Sequence, residues 1–430
     1  MKIIFNSDNS FDDDFNELLQ RGKMDIDGVS SIVNSLLNEI KEDGNSALRE
    51  QISKFDRWTP SDDNELLVST DDMEKAYNNI DPKLRDALHL AYDRIENYHQ
   101  KLMPKSWFEF EKNGSMLGQK VTPVDIAGLY IPGGKAAYPS SLLMNAIPAI
   151  VAGVEDIIVC TPTPDNEINE LLLAACHLCK VTKVYKVGGA SAIGAMAYGT
   201  ETIPKVDVIT GPGNIFVATA KKLVYGEVHI DMIAGPSEIG ILADESAKAD
   251  YLAIDLLSQA EHDEMASSIL ITTDKDLATK VSDEVEKLLK TLSREDIARK
   301  SIEERGAIIV TETMDDAINL MNQIAPEHLE VMTKNPMELL PDIKHAGAIF
   351  LGENTPEAIG DYVAGPNHTL PTGGTAKFYS PLSVDNYLKK SSIISMSKKG
   401  INELGEACAL IANTEGLTAH EESVRVRLSK

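Results

Sequence analysis

The sequence contains little cysteine, with only 4 in 430 residues. So few cysteines in so long a chain do not form the disulfide framework of a small secreted protein. Cys176 and Cys179 have the CxxC spacing of redox and metal sites, but they lie in the apolar run LLLAACHLC, and no second pair follows. We therefore expect buried helix residues. Cys160 ends an apolar strand-like run where nothing marks an activated nucleophile, so we interpret it as structural.

Positive charge and long apolar runs are also scarce. The chain has 41 Lys and Arg against 67 Asp and Glu, a net charge of −26. This balance argues against nucleic acids and anionic membrane surfaces as partners. The most apolar stretch, residues 141–154, is too short to span a bilayer and contains Asn145 and Pro148. The first residues lack the charged-then-apolar pattern of a leader, and we expect a cytoplasmic protein.

The common nucleotide-binding fingerprints are missing as well, since the sequence has neither GxGxxG nor a Walker A motif. Glycine-rich turns nevertheless follow three predicted strands, at residues 131–134, 187–189 and 211–214. Ligands of open parallel sheets bind beyond the carboxyl ends of the strands. A dinucleotide is therefore one hypothesis for these turns. Glycines that only permit tight turns explain the same pattern equally well.

What the chain does have is a repeated alternation of short apolar runs and helical patterns from residue 124 onward. Strand-like runs and helices alternate over residues 124–226, and the alternation starts again at residue 238 and continues to 311. Strand, helix, strand at this rhythm predicts right-handed crossovers and parallel sheets. The sequence therefore predicts an α/β protein with two similar α/β/α parallel-sheet units.

Two short patterns contain side chains that could carry chemistry. Gln259 and His262 stand three residues apart at a predicted helix end, where an oxygen and an imidazole nitrogen on one face form half a metal site. Adjacent Glu327 and His328 can act as a water-orienting base and a proton shuttle. Each pattern also has an ordinary explanation, either a solvated helix end or a surface acid beside a histidine.

Two further places are ambiguous on the residues alone. The segment 360–374 is dense in Gly and Pro and contains Asp361 and His368, and such a loop either holds a ligand or only turns the chain. His420 lies in the C-terminal part of the chain, where a histidine is ordinarily a solvated residue.

Several longer strings resemble the histidinol dehydrogenase family: GLYIPGG (128–134), GPGN (211–214), AGPSE (234–238), DLLSQAEH (255–262), APEHLE (325–330), GDYVAGPNHTLPTGG (360–374) and EGLTAHEESVRVR (415–427). The resemblance covers nearly the whole chain. It implies an aldehyde-dehydrogenase-like fold of incomplete Rossmann type and a zinc- and NAD-dependent oxidation of L-histidinol, through the aldehyde, to L-histidine. It also implies a homodimer whose C-terminal tail completes the partner's site.

The resemblance implies a role for each matching residue. The zinc ligands would be Gln259, His262, Asp361 and His420. Glu327 would activate water and His328 would accept protons. The substrate contacts would be those four ligands with His328, Ser237 and Glu415, and His368 is a further candidate. NAD would contact Tyr130, Asn214 and the residue at position 191.

Two positions depart from the family pattern. Ser191 stands where better-known members have a glutamine, and its shorter hydroxyl cannot make the same amide contacts with NAD. Gly240 stands where the family usually has an aliphatic residue, and we expect it to loosen the local packing.

The implied domains are a helical N-terminal arm (1–22), a first α/β domain with the metal and acid–base residues (23–128 plus 239–380), a second α/β domain on the NAD side (129–238) and a helical C-terminal extension (381–430). Two other function classes stay open. A zinc hydrolase would use the same ligands to hold water, with no nucleotide at the glycine turns. A non-catalytic metal-binding homologue would not depend on Glu327 or His328.

Overall fold

The computed structural model describes residues 1–20, 26–133 and 138–428. It divides into two compact units, the first formed by Met1–Lys101 and Asp125–Tyr387 and the second by Leu102–Val124 and Leu388–Lys430. The predicted boundary between residues 22 and 23 lies outside the described residues, as does Gly134 of the first glycine turn.

The strands, in chain order, are β1 (Lys2–Phe5), β2 (Leu67–Val68), β3 (Trp107–Phe110), β4 (Met116–Pro123), β5 (Ile126–Tyr130), β6 (Asp156–Thr161), β7 (Lys183–Lys186), β8 (Val208–Thr210), β9 (His229–Ile230), β10 (Glu238–Ala243), β11 (Ser267–Thr272), β12 (Ala307–Val310), β13 (His328–Met332), β14 (Ala348–Leu351) and β15 (Leu388–Ser395).

The α-helices are α1 (Phe11–Gln20), α2 (Ile26–Asp43), α3 (Asn45–Phe55), α4 (Thr70–Asn79), α5 (Pro82–Leu102), α6 (Pro139–Ala152), α7 (Glu170–Leu178), α8 (Gly189–Tyr198), α9 (Ile215–Val224), α10 (Ala249–Ala260), α11 (Lys275–Leu289), α12 (Glu295–Arg305), α13 (Met314–Ile324), α14 (Pro336–Leu339), α15 (Glu357–Ile359), α16 (Lys398–Thr414) and α17 (Thr418–Arg425). Shorter helical turns are Asp63–Leu66, Pro164–Asn166, Leu340–Asp342, Gly360–Ala364, Thr375–Lys377 and Val384–Tyr387.

The first sheet has six strands in the order β1-β12-β11-β10-β13-β14, and every neighbouring pair is parallel. One face packs against α10, α11 and α12, and the other packs against α1 and α13. This sheet confirms the second pass of the predicted alternation. The helical N-terminal arm was wrong for its first residues, because Lys2–Phe5 forms an edge strand beside β12. A four-residue run is too short to show a period, and only the partner strand reveals it.

The second sheet has the order β2-β7-β6-β5-β8-β9, with only the two-residue β2 antiparallel to its neighbour. It confirms the first pass of the alternation. Helices α2 and α3 belong to its core, where Leu37 and Leu48 join Ile193 and Met196. The domain prediction from the sequence instead assigned residues 23–128 to the domain of the first sheet. An amphipathic pattern shows that a helix buries one face, but it does not show which sheet that face meets.

The second unit contains a three-stranded antiparallel sheet in the order β15-β4-β3, followed in the chain by α16 and α17. The predicted helical C-terminal extension is therefore wrong over Leu388–Ser395, which forms a strand. The run LKKSSIIS has no clear alternation, so its pairing with β4 was not visible in its own sequence.

The cysteines of the first unit are core residues, as expected. Cys160, Cys176 and Cys179 are free and buried, and burial raises the pKa of each thiol. None of the helices in the described ranges combines the length and apolarity that a membrane crossing requires.

Gly240 does not loosen the packing of β10, contrary to the expectation from its sequence. A Cβ atom at this position would lie 2.6 Å from Sδ of Met321 and 3.0 Å from Cγ of Pro326. Met321, which is buried in the first-sheet core, therefore occupies the space that an aliphatic side chain would fill.

A buried ion pair between Lys221 and Asp231 holds the turn that follows β8. Lys221 Nζ donates to the Gly211 carbonyl oxygen at 2.9 Å, and the Gly211 amide donates to Asp231 Oδ2 at 2.8 Å. Gly211 has a φ of +118°, and a Cβ atom there would lie 2.0 Å from the Tyr130 carbonyl oxygen. The amide and the carbonyl oxygen of this glycine are thus both fixed by one pair of charges.

Substitution Lys221→Met should therefore destabilise the protein strongly. It leaves Asp231 as an unpaired buried charge, which costs about 3–5 kcal/mol in free energy of unfolding. Urea unfolding measures this value, and Lys222→Met is the matched control because Lys222 is exposed on the same helix. Equal losses in both variants would contradict the assignment of the effect to the buried pair.

Candidate functional site

A cleft of ≈ 180 Å³ collects most of the polar residues singled out in the sequence. Its walls include Ser237, Gln259, His262, Glu327, His328, Asp361 and His368. These residues come from separate segments of the first unit, so only the fold brings them together. The zinc ligand set and the individual roles implied by the resemblance stay predictions, but three of the four predicted zinc ligands and both acid–base residues line this one cleft.

The cleft lies at the amino ends of first-sheet strands. Ser237 directly precedes β10, and His328 is the first residue of β13. Helix α10 leaves the carboxyl end of β10 and returns to the start of β11, so Gln259 at its end reaches the same edge. The general expectation for open parallel sheets places ligands at the opposite edge. That expectation does not hold for this cleft.

Gln259 and His262 meet as their three-residue spacing suggested. The Gln259 amide satisfies its neighbours when its oxygen accepts from His262 Nδ1 at 3.1 Å and its nitrogen donates to Glu357 Oε1 at 2.7 Å. Glu357 therefore orients the amide and leaves its oxygen on the side of His262. An oxygen and an imidazole nitrogen are thus presented together to the cleft.

His328 lies among acidic groups. Its Nδ1 atom is 3.2 Å from the Glu238 carbonyl oxygen and 3.7 Å from Glu327 Oε2. Its Nε2 atom is 3.4 Å from Asp361 Oδ1. Burial lowers the pKa of His328, but Glu357, Glu327 and Asp361 together outweigh burial and hold this pKa well above its usual range.

The carboxyl groups around His328 are themselves poorly solvated. Burial raises the pKa of Glu238 to about 7, of Glu327 to about 8 and of Glu357 to about 7. The backbone amide of Glu238 donates to Glu327 Oε2 at 3.0 Å, which fixes the Glu327 carboxyl at the cleft. A buried base with a raised pKa binds a proton more readily than a solvated carboxylate does.

Behind these groups lie two more buried acids that the sequence did not reveal. Burial raises the pKa of Glu330 to about 9 and of Asp255 to about 6, and the negative charge of Asp255 raises the pKa of Glu330 further. Glu330 Oε1 also accepts the backbone amide of Glu357 at 2.7 Å, and it thereby positions the acid that orients Gln259.

Asp361 lies in the turn Gly360–Ala364 and completes the group of donors at the cleft. Burial raises the pKa of Asp361, but hydrogen bonding and charge from His328 outweigh burial, so the pKa stays below its usual range. His368 Nδ1 lies 2.9 Å from the Asp361 carbonyl oxygen, which suits a donated hydrogen bond. This places the further candidate for substrate contact beside the predicted metal ligand.

The donor chemistry of the cleft fits a metal ion. Oxygen and imidazole nitrogen atoms are the donors that zinc accepts in proteins. Gln259, His262 and Asp361 all line the cleft. In the described part of the chain, one cluster places metal-ligand atoms within 4.8 Å of one another, and it consists of His328, Glu357 and Asp361. Glu357 was missed because no motif or spacing links it to the other residues.

The two remaining predicted site residues lie in the second unit. Glu415 directly follows α16, and His420 lies on α17. Both side chains are exposed. Their roles as substrate anchor and zinc ligand stay predictions.

A second cleft, of ≈ 430 Å³, lies at the carboxyl ends of the second sheet and contains the residues predicted to contact NAD. Tyr130 ends β5, and its hydroxyl accepts the Gly189 amide at 3.2 Å. Asn214 caps α9, with its side-chain oxygen accepting the amides of Phe216 and Val217 at 3.1 and 3.2 Å. The glycine turns therefore line a cavity large enough for a ligand.

Ser191 also lines this second cleft, but its hydroxyl is already engaged. It donates to Gln51 Oε1 at 2.5 Å, and the Gln51 nitrogen donates to the Leu36 carbonyl oxygen at 3.1 Å. The sequence did not single out Gln51, which reaches the cleft from α3. A contact between Ser191 and NAD stays a prediction.

Comparison with known proteins gives a consistent result. The sequence model of the family "Histidinol dehydrogenase" matches residues 19–428. The chain is 71% identical over 421 residues to the histidinol dehydrogenase of Sulfurimonas denitrificans, covering 98% of each protein. It is 51% identical over 428 residues to that of Geobacter sulfurreducens, covering 100% of each. The crystal structure of histidinol dehydrogenase from Elizabethkingia anophelis is similar with a TM-score of 0.93 and 36% identity, covering 99% of this chain and 98% of that one.

Proposed function

Because the chain belongs to the histidinol dehydrogenase family, and is therefore an oxidoreductase of histidine biosynthesis, we propose that it oxidises L-histidinol through L-histidinal to L-histidine with NAD⁺ and zinc. The observation that carries this proposal is the meeting of Glu327 and His328 with Gln259, His262 and Asp361 around one cleft. Each half-reaction transfers one hydride to NAD⁺. The complete oxidation consumes one water and releases three protons.

The substrate cleft supplies the metal donors. Gln259, His262 and Asp361 would hold zinc, with His420 as the fourth ligand implied by the family resemblance. When bound, zinc supplies a positive charge that fixes the position of donor atoms on the substrate, while NAD⁺ supplies the hydride acceptor. Ser237 and His368, which line the same cleft, are the neutral polar groups available to orient the substrate.

His328 would accept the proton from the alcohol as the first hydride leaves, in the neutral form that a zinc ion bound at Asp361 would favour over the imidazolium. Its imidazole is held between the Glu238 carbonyl oxygen and the Asp361 carboxyl group, so its ring faces the cleft in a defined orientation. Glu327 then takes a proton from the water that attacks the aldehyde. His328 accepts a proton again before the second hydride transfer, because the adduct must lose its hydroxyl proton.

The second cleft is the proposed NAD site, with Tyr130, Asn214 and Ser191 as contact residues. Pro212 lines the substrate cleft, whereas Gly213 and Asn214 line the second cleft. The turn after β8 therefore borders both clefts, and a nicotinamide ring beside it would face the substrate. Exposed His420 and Glu415 are proposed to complete the site of the partner subunit in a homodimer.

A coupled assay tests the whole proposal. Purified protein is given L-histidinol and NAD⁺, and NADH formation is followed by its absorbance with and without a metal chelator. NADH formation that stops on chelation and returns with zinc is the expected result. Hydrolysis of an amide substrate without NADH formation would favour a zinc hydrolase. Metal binding with neither activity would favour a non-catalytic homologue.

Glu327→Gln should slow oxidation of L-histidinal more than oxidation of L-histidinol to the aldehyde, because only the former step consumes water. A lost general base slows its step by about 10²- to 10⁴-fold. Single-turnover NADH formation from each substrate separately measures the two steps. Equal slowing of both steps would show that Glu327 does not act on water. Glu312→Gln, an exposed position in the same unit, is the matched control.

A further inference from the structure

The second cleft contains a buried carboxyl group for which the proposed reaction has no use. Asp56 follows the end of α3, is 7% exposed and lines the cleft beside Ile52, Tyr130 and Pro162. Its side chain has one hydrogen bond to the chain over the described ranges, a long one of 3.4 Å from the Thr163 amide. A carboxylate that is removed from water normally receives several hydrogen bonds or a cation.

The nearest cation does not compensate for this deficit. Arg57 follows Asp56 in sequence, but its Nε atom donates to Asp165 Oδ1 at 3.1 Å, and both side chains of this ion pair are largely exposed. Burial accordingly raises the pKa of the Asp56 carboxyl, only partly offset by the Thr163 amide and by Arg57. The charged form would gain stability from a hydroxyl donor brought by a ligand.

The position of Asp56 relative to the second sheet indicates which part of a dinucleotide reaches it. Asp56 bonds to Thr163 in the loop after β6, whereas the turn that borders the substrate cleft follows β8. Strand β5 lies between β6 and β8, so the two loops are separated by about 10 Å at roughly 4.8 Å per strand. A dinucleotide with its nicotinamide at the β8 turn would therefore extend its other half toward Asp56.

We propose that Asp56 accepts a hydrogen bond from the 2′-hydroxyl of the adenosine ribose and thereby selects NAD over NADP. This inference rests on the proposed NAD site. An acidic side chain that binds the ribose 2′-hydroxyl is the general solution for NAD, and an arginine accommodates the 2′-phosphate of NADP. Here a 2′-phosphate would meet a desolvated carboxylate, while the adjacent Arg57 guanidinium is bound to Asp165.

Equilibrium binding by calorimetry tests the proposal without relying on turnover. Wild-type protein should bind NAD⁺ about 10- to 100-fold more tightly than 2′-deoxy-NAD⁺, the range expected for one hydrogen bond to a charged group. NADP⁺ should bind more weakly still. In Asp56→Asn, the affinity for NAD⁺ should fall by a similar factor. The preference for NAD⁺ over NADP⁺ should fall at least about 10-fold.

The matched control is Glu50→Gln, which removes one negative charge from the exposed surface of the same helix. It should leave all three affinities unchanged. Equal binding of NAD⁺ and 2′-deoxy-NAD⁺ by the wild type would overturn the proposal with no variant needed, as would an unchanged NAD⁺ to NADP⁺ ratio in folded Asp56→Asn. Wild-type protein that binds none of these nucleotides would instead refute the proposed NAD site itself.

Discussion

His262→Asn is expected to remove the bound metal and nearly all activity. The substitution takes away the imidazole that faces the Gln259 oxygen at the cleft. His420 would then be the one remaining imidazole beside oxygen donors, which is a poorer match for zinc. Loss of even an outer-shell partner costs about 10- to 100-fold in metal affinity, so loss of a direct ligand should exceed the upper end of that range. Metal analysis of the purified protein and the histidinol-dependent NADH assay measure the two effects.

His89→Asn makes the same chemical change at an exposed histidine on α5 and should leave metal content and activity intact. Chelation of the wild-type protein should reproduce the defect of His262→Asn, and added zinc should restore only the wild type. Full activity in wild-type protein that metal analysis shows to be metal-free would reject the metal site altogether.

Substitution His328→Gln should slow both oxidation steps by about 10²- to 10⁴-fold, the usual contribution of a general base. Both steps are affected because in each of them a hydroxyl group on the reacting carbon loses its proton as the hydride leaves. Glutamine keeps polar atoms in a buried position, so the variant is better matched than alanine. Single-turnover measurements with L-histidinol and with L-histidinal give the two rates, and NAD⁺ affinity should remain at the wild-type value.

A variant that loses only one of the two steps would show that His328 is not the common proton acceptor. Loss of both steps together with a large fall in unfolding free energy would point to a structural role, because His328 packs among the buried carboxyl groups of Glu327, Glu357 and Asp361. Urea unfolding of His328→Gln beside the wild type distinguishes these outcomes.

Periodicity predicted most of the α/β framework, because buried parallel strands and the helices between them repeat at fixed lengths. The runs that became β5 to β8 and β10 to β12 were all recognised as strands. The edge strands were missed for a common reason. Residues 2–5 and 388–395 become strands only through neighbours that are distant in sequence, namely β12 and β4. Local pattern contains no information about such pairing.

The same limit applied to the candidate site, because local spacing identified some of its residues and could not identify the others. Gln259 and His262 were found because helical spacing places them on one face, and Glu327 and His328 because they are adjacent. Their meeting with Asp361 depended on the family resemblance, since nearly 100 residues separate it from His262. Asp255 and Glu330 belong to the quoted strings DLLSQAEH and APEHLE, but nothing in those strings gave either acid a role, and Glu357 lies outside every quoted string. Asp56 and Gln51 reach the second cleft only because α3 packs on the second sheet.

The contact between Gly240 and Met321 couples the effects of substitutions at these two positions. A larger residue at Gly240 must displace Met321 Sδ, which lies 2.6 Å from the position of the new Cβ atom, and such overpacking typically costs about 1–3 kcal/mol. Shortening Met321 first leaves a cavity and costs about 2–5 kcal/mol. Either first step passes through a less stable protein, whereas the double substitution restores the volume. Substitutions at positions 240 and 321 are therefore coupled, and a larger side chain at 240 is best accommodated when the residue at 321 becomes smaller.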